Sequence, residues 1–157
     1  MLEILREYLY VFFCAMVPLI ELRGSVIIGA GMGMPWFANL VLSVIGNMIP
    51  VPFILLFIRR ILAWMHTTKH FHGIAEWLEK KAHSKSDRVL KYASLGLVLF
   101  VGIPLPGTGA WTGALIAAMF DMKKRYAFLS IFLGVLTAGI LMSLIMGGIL
   151  GGLSFLL

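Results

Sequence analysis

A chain of 157 residues that is 61% hydrophobic and only 13% charged, with a mean hydropathy of +0.99, lies well outside the soluble range of about 45–50% apolar. It reads as a one-domain integral membrane protein, too short for a solute carrier unless two copies assemble. The net charge of +6 does not point to nucleic acid. The basic residues gather in 59–91 and in Lys123-Lys124-Arg125, beside apolar stretches, where such clusters set topology and meet anionic lipid.

Four apolar stretches follow in chain order: residues 8–34, 36–58, 92–120 and 126 to about 150. The opening run of residues 1–7 lacks the basic start of a cleaved signal peptide, and no A-x-A site follows, so a retained N-terminus is expected. Cys14, the one cysteine, excludes an intramolecular disulfide and reads as a buried structural thiol. The second and fourth stretches have the length of single spans, since about 20 residues cross the hydrocarbon core. The first and third are too long for one span and too short for two. Each is broken near its middle, one across Pro18 to Gly24 and the other across Pro104-Leu105-Pro106-Gly107-Thr108-Gly109.

Charge orients these stretches. Arg88 and Lys91 precede the third and Lys123-Lys124-Arg125 follow it, which puts both its ends in the cytoplasm. A segment that starts and ends on one face with a Pro/Gly break between is a re-entrant hairpin, and irregular backbone at that depth survives only when buried in protein or lining a wet cavity. Arg59-Arg60 put the end of the second stretch in the cytoplasm as well, so the first stretch becomes a hairpin entered from outside. The expected fold is all-α: an inverted repeat of re-entrant hairpin plus transmembrane helix. Residues 1–58 form the first unit, 59–91 a cytoplasmic linker and 92–157 the second unit, with both termini outside a cytoplasmic (inner) membrane. Within the linker, residues 61–83 carry apolar positions at helical spacing and are expected to lie on the membrane surface as amphipathic helix.

Glu21 and Arg23 are the only charges inside the apolar stretches, and a charge at bilayer depth costs roughly 2.5–3.5 kcal/mol on insertion scales. They read as a coupled ion and substrate site: desolvation favours the protonated acid, Arg23 favours the anion, and protonating Glu21 frees Arg23. Residues two apart on a regular helix do not face each other, so pairing requires the broken backbone flanked by Pro18 and Gly24. The bland alternative is a structural ion pair. In the second break, Pro104, Pro106, Gly107 and Gly109 permit tight turning and close approach, Thr108 and Thr112 add hydroxyls, and Trp111 offers an aromatic face; simple hairpin packing is the competing reading. Asn47, before Pro50 and Pro52, either lines the same cavity or satisfies carbonyls freed by the prolines, with Asn39 and Ser43 on its face. His66, His70 and His72 with Glu76 show metal-like spacing but no closing ligand set, so no metal and no cofactor is expected. No catalytic triad, phosphate loop or paired carboxylates point to an enzyme.

The run Pro18-Leu19-Ile20-Glu21-Leu22-Arg23-Gly24, together with Pro104-Leu105-Pro106-Gly107-Thr108-Gly109-Ala110-Trp111-Thr112-Gly113, resembles the bacterial and archaeal small multidrug export proteins over nearly the whole chain. More distantly, the plan and the Glu-x-Arg tip resemble the DedA-type (SNARE-associated, VTT-domain) superfamily, some members of which are implicated in moving lipid-carrier phosphates. That likeness implies an undecaprenyl-phosphate-type flippase as an alternative to an exporter of amphipathic or lipidic substrates. The chain departs from the DedA pattern in carrying no charge between Pro104 and Gly113. Expected partners are membrane lipid, an amphipathic substrate and a second copy of the chain. A homodimer is expected to use Gly29, Gly31, Gly33, Gly134, Gly139 or the glycine-rich end for close contact.

Overall fold

The computed structural model describes residues 2–67, 87–105 and 107–156. Among them all regular structure is helical: α1 (Leu2–Met16), α2 (Glu21–Gly31), α3 (Trp36–Met48), α4 (Pro50–Thr67), α5 (Asp87–Gly102), α6 (Ala110–Met119) and α7 (Lys124–Leu156). Most of the surface-helix expectation for 61–83, the histidine group beyond His66, and Pro106 lie outside the described residues.

Both long apolar stretches break where their prolines stand. The residue before a proline is pushed out of helical geometry, and α1 accordingly stops before Val17 and α5 before Ile103. The chain turns through Val17–Ile20, with Glu21 N–H donating to the Val17 carbonyl at 2.8 Å, and restarts as α2. With 15, 11, 16 and 10 residues, α1, α2, α5 and α6 are each shorter than the ~20 residues of a crossing. Pro50 behaves differently. It opens α4 at a position where a missing N–H costs nothing, so α3 runs on across a joint at Ile49, and Trp36–Phe57 forms a 22-residue span-length helix. Lys124–Ile149, 26 residues long, is the second helix apolar and long enough to cross.

The two three-helix groups, α1–α2–α3 and α5–α6–α7, share two local features. α2 ends in a left-handed Gly33 and α6 in a left-handed Asp121. In each the next two amides turn back on the helix: Gly33 to Ala30 and Met34 to Gly29, both 3.0 Å, beside Asp121 to Ala118 at 3.1 Å and Met122 to Ala117 at 3.0 Å. This is the double bond of a Schellman end. α3 then packs on α1 through Gly46, where any side chain would strike the Phe12 carbonyl, and α7 packs on α5 through Gly134, where one would strike the Val98 carbonyl. α3 and α7 run antiparallel, for Leu40 sits against Gly139 while Val44 and Met48 share a groove with Phe128 and Phe132.

Polarity is distributed inside out relative to a soluble domain. Glu21, Ser25, Asn39, Ser43, Asn47 and Ser130 are buried, whereas Phe13, Leu19, Trp36, Phe53 and Leu144 face outward. An apolar exterior of this extent needs an apolar surround. The glycines expected at a dimer contact divide into two sets. Gly29 is closed off by the Asn39 amide, Gly134 by α5 and Gly139 by Leu40 and Leu22, so these three serve packing within the chain. Gly31, Gly33, Gly147 and Gly148 have nothing near them.

Candidate functional site

The two breaks meet, and Glu21 and Arg23 join them. A broken helix leaves carbonyls unpaired at the end of its first arm and amides unpaired at the start of its second. Arg23 serves the carbonyls of the second break: its Nη2 donates to the Ile103 carbonyl at 3.0 Å, the Thr108 carbonyl at 3.1 Å and Thr108 Oγ1 at 2.7 Å. Glu21 serves the amides, its Oε1 accepting from Trp111 N–H in the first turn of α6 at 3.3 Å. The cation therefore stands at the negative end of α5 and the carboxylate at the positive end of α6, which is the favourable sense for both helix dipoles.

Trp111 returns the favour. Its indole Nε1 donates to the Met16 carbonyl at the end of α1, at 3.1 Å. Arg23 and Trp111 stand at corresponding places in the two groups, the same number of residues before the last residue of α2 and of α6. Each donates into the carbonyl end of the other group's first arm.

Glu21 takes a left-handed backbone conformation, φ 49°, which costs a non-glycine residue roughly 1–2 kcal/mol. That turn aims the carboxylate at α6. Gly109 makes room for it: a β-carbon there would overlap the Glu21 carboxylate itself. The direct ion pair is long, with Arg23 Nη1 3.7 Å from Glu21 Oε2, against about 2.7–2.9 Å for a charge-assisted hydrogen bond. The pairing expected from the broken backbone is present, but each charge is held mainly by helix ends.

Beside the pair lies a cavity of about 10 Å³ lined by Glu21, Leu22, Arg23, Asn47, Val101, Gly109, Ala110, Val135 and Ala138, room for about one water. Asn47 is 1% exposed, and its Oδ1 and Arg23 Nε are buried without a hydrogen-bond partner. Asn47 lines the cavity. Asn39 and Ser43 do share its face but serve packing: Asn39 Nδ2 donates to the Val26 carbonyl at 2.8 Å and Ser43 Oγ to Asn39 Oδ1 at 3.3 Å.

The other expected residues separate. Thr108 is central: besides accepting from Arg23, its hydroxyl lies 2.9 Å from both the Ile103 and Leu105 carbonyls. Gly107, left-handed at φ 81°, makes the turn and has open space where a β-carbon would stand. Pro18 is exposed and Pro104 half-buried; both end helices without touching the charges. Gly24 fits against Ile20 in the turn before α2. Thr112 is half-buried in α6, outside these hydrogen bonds. The sequence reading missed the carbonyls of Met16 and Ile103. Their signal was positional, as the last residues before each break.

Neither the curated proteins nor the solved structures searched contain a match to this chain. A family described as "Putative small multi-drug export protein" does match, over residues 21–141. That range takes in Glu21, Arg23, the second break and the cavity, and begins just after the turn through Val17–Ile20; the chain belongs to this family.

Proposed function

We propose that the protein is a small membrane exporter of amphipathic substrates in which Glu21 and Arg23 couple ion or proton arrival to movement of the two breaks. One observation carries this reading: a buried carboxylate and a half-buried guanidinium span the only pair of broken helices among the described residues. Intramembrane ionisable groups of this kind mark ion and substrate pathways. A proton or cation reaching Glu21 weakens its hold on Trp111 N–H and on Arg23 together, and the two breaks part.

The membrane arrangement that fits is an inverted repeat of re-entrant hairpins, α1–α2 entered from outside and α5–α6 from the cytoplasm, with residues 59–91 cytoplasmic and both termini outside. It is supported by the half-length arms, the local features the two groups share, the antiparallel run of α3 and α7, and the basic cluster Lys123-Lys124-Arg125 at the start of α7. The breaks engage each other within one chain, so a homodimer is not required to cover them. A second copy on the open Gly31–Gly33 or Gly147-Gly148 surfaces would give the substrate path its missing wall.

A second reading has its own support. Three hydrogen bonds from one nitrogen suit a clasp that only holds the fold together. Export measured from cells or loaded vesicles separates the two. Under the transport reading, Glu21→Gln with Arg23→Gln folds and inserts but exports nothing above background. Normal export by that double variant would leave only the clasp.

A further inference from the structure

The second break presents a neutral oxygen cradle to a single nitrogen: the Ile103 carbonyl, the Thr108 carbonyl and Thr108 Oγ1 lie 2.7–3.1 Å from Arg23 Nη2. The Thr108 hydroxyl has one proton, directed to the Ile103 or Leu105 carbonyl, so its lone pairs face the guanidinium. Lying at the carbonyl end of α5, the cradle carries the negative end of that helix dipole. It is built for a cation with N–H donors, and in this structure the cation is tethered.

The tether is not fully engaged elsewhere. Arg23 Nη1 stops 3.7 Å short of Glu21, and Nε has no partner. Swinging the guanidinium out of the cradle toward Glu21 would exchange the carbonyls for a charge-assisted hydrogen bond to the carboxylate. Arg23 thus has two places to be, one on the carbonyls and one on the carboxylate. The mouth of the cradle is apolar and open, with Ile103 49% and Leu105 55% exposed and Leu19 96% exposed on the first break.

We infer that the Ile103–Thr108 cradle is the binding site for the cationic head of an amphipathic substrate, and that Arg23 is its built-in competitor. Arg23 fills the cradle when substrate is absent and moves onto Glu21 when a substrate head displaces it. The head is an ammonium, guanidinium or amidinium group whose N–H donors replace those of Arg23, while its apolar body lies along Ile103 and Leu105. An anionic head would meet carbonyl oxygens there. This rests on the transport reading above and names the substrate class for the same site. Displacement makes binding weak by construction, since substrate competes with a covalently attached cation, and an exporter must release what it binds.

The test is equilibrium binding to the full chain in phosphatidylcholine nanodiscs, corrected with empty nanodiscs, using octylguanidinium as probe and octyl phosphate as the anionic control. If Arg23 holds the cradle most of the time, removing it tightens apparent binding by about the inverse of the free fraction, about tenfold for a site nine-tenths filled. Arg23→Ala is therefore expected to bind octylguanidinium about tenfold more tightly than the parent, and adding Thr108→Val to abolish that gain. Arg23→Gln, which keeps much of the side-chain length without the charge, replaces Arg23→Ala if the smaller residue does not fold. In the parent chain, octylguanidinium should move the Arg23 Nε resonance in ¹⁵N spectra. Unchanged or weaker binding in the Arg23 variants, indifference to Thr108→Val, or a static Arg23 resonance each overturns the proposal. Octyl phosphate binding that vanishes with Arg23 would make the head anionic, ending the cation reading while leaving a transport role for Arg23. Because binding is read without turnover, failure of Glu21 coupling would not alter these outcomes.

Discussion

The Glu21 carboxylate occupies the space that a side chain on Gly109 would take, so the first residue of α2 and the residue before α6 fit together only because one of them is glycine. The contact crosses the whole interface between the two breaks. It places the acid on the amide end of α6, beside an arginine that serves the carbonyl end of α5.

Gly109→Ala should therefore act on Glu21 across about ninety residues of chain. The alanine forces the carboxylate away from Trp111 N–H and costs about 1–3 kcal/mol, as overpacking does. Gly107→Ala has open space and pays only the left-handed backbone, about 1–2 kcal/mol. Export should fall to the Glu21→Gln level in Gly109→Ala and survive in Gly107→Ala. Thermal unfolding followed by tryptophan fluorescence and an export assay on the same preparations check both halves; equal loss of export in the two variants would mean that the turn, not the carboxylate, matters.

Arg23→Lys should not rescue function. An ammonium has donors enough for the Ile103 and Thr108 oxygens, but it ends a shorter stem in a single nitrogen, so it cannot fill the cradle and stay near Glu21 as the two guanidinium nitrogens do. Export at parental rate with lysine would show that charge alone suffices.

Trp111→Phe removes the indole donor and leaves the Met16 carbonyl without it. The expected loss is about 1 kcal/mol of stability, with export retained, because the Trp111 amide that holds Glu21 belongs to the backbone. A Trp111→Phe protein that is stable but inactive would instead assign the ring to the substrate path.

The matching packing of the two groups predicts matching sensitivities. Gly46→Ala and Gly134→Ala should each cost about 1–3 kcal/mol by overpacking, since each glycine lies against a helix backbone. Gly147→Ala, with nothing near it, should stay within about 0.5 kcal/mol of the parent. A neutral result at Gly46 or Gly134 would show helices freer to separate than they stand here.

Topology is open to cysteine labelling on a Cys14→Ser background. Cysteines at Tyr92 and Lys124, at the two ends of the α5–α6 stretch, should both react from the cytoplasm. Cysteines at Leu2 and Trp36 should both react from outside. Labelling of Tyr92 and Lys124 from opposite faces would turn the re-entrant hairpin into a crossing.

The sequence by itself determined the solvent of this protein, the two long helices and the places where the other stretches break. Hydropathy, proline and glycine act locally, and α1 and α5 stop beside Val17 and Ile103 because of the residues that follow them. It also singled out Glu21 and Arg23, since charge in an apolar run is visible without a partner. Which groups they would meet was not legible. Every helix end offers the same carbonyls and amides, and only the meeting of the two breaks selected Ile103, Thr108 and Trp111. Glycine roles were equally hidden: Gly29, Gly134 and Gly139 look like surface notches for a second copy, yet Asn39, Val101 and Leu40 fill them. A small residue records only that something approaches closely. Which element approaches is decided by tertiary structure, because close packing joins surfaces far apart in the chain.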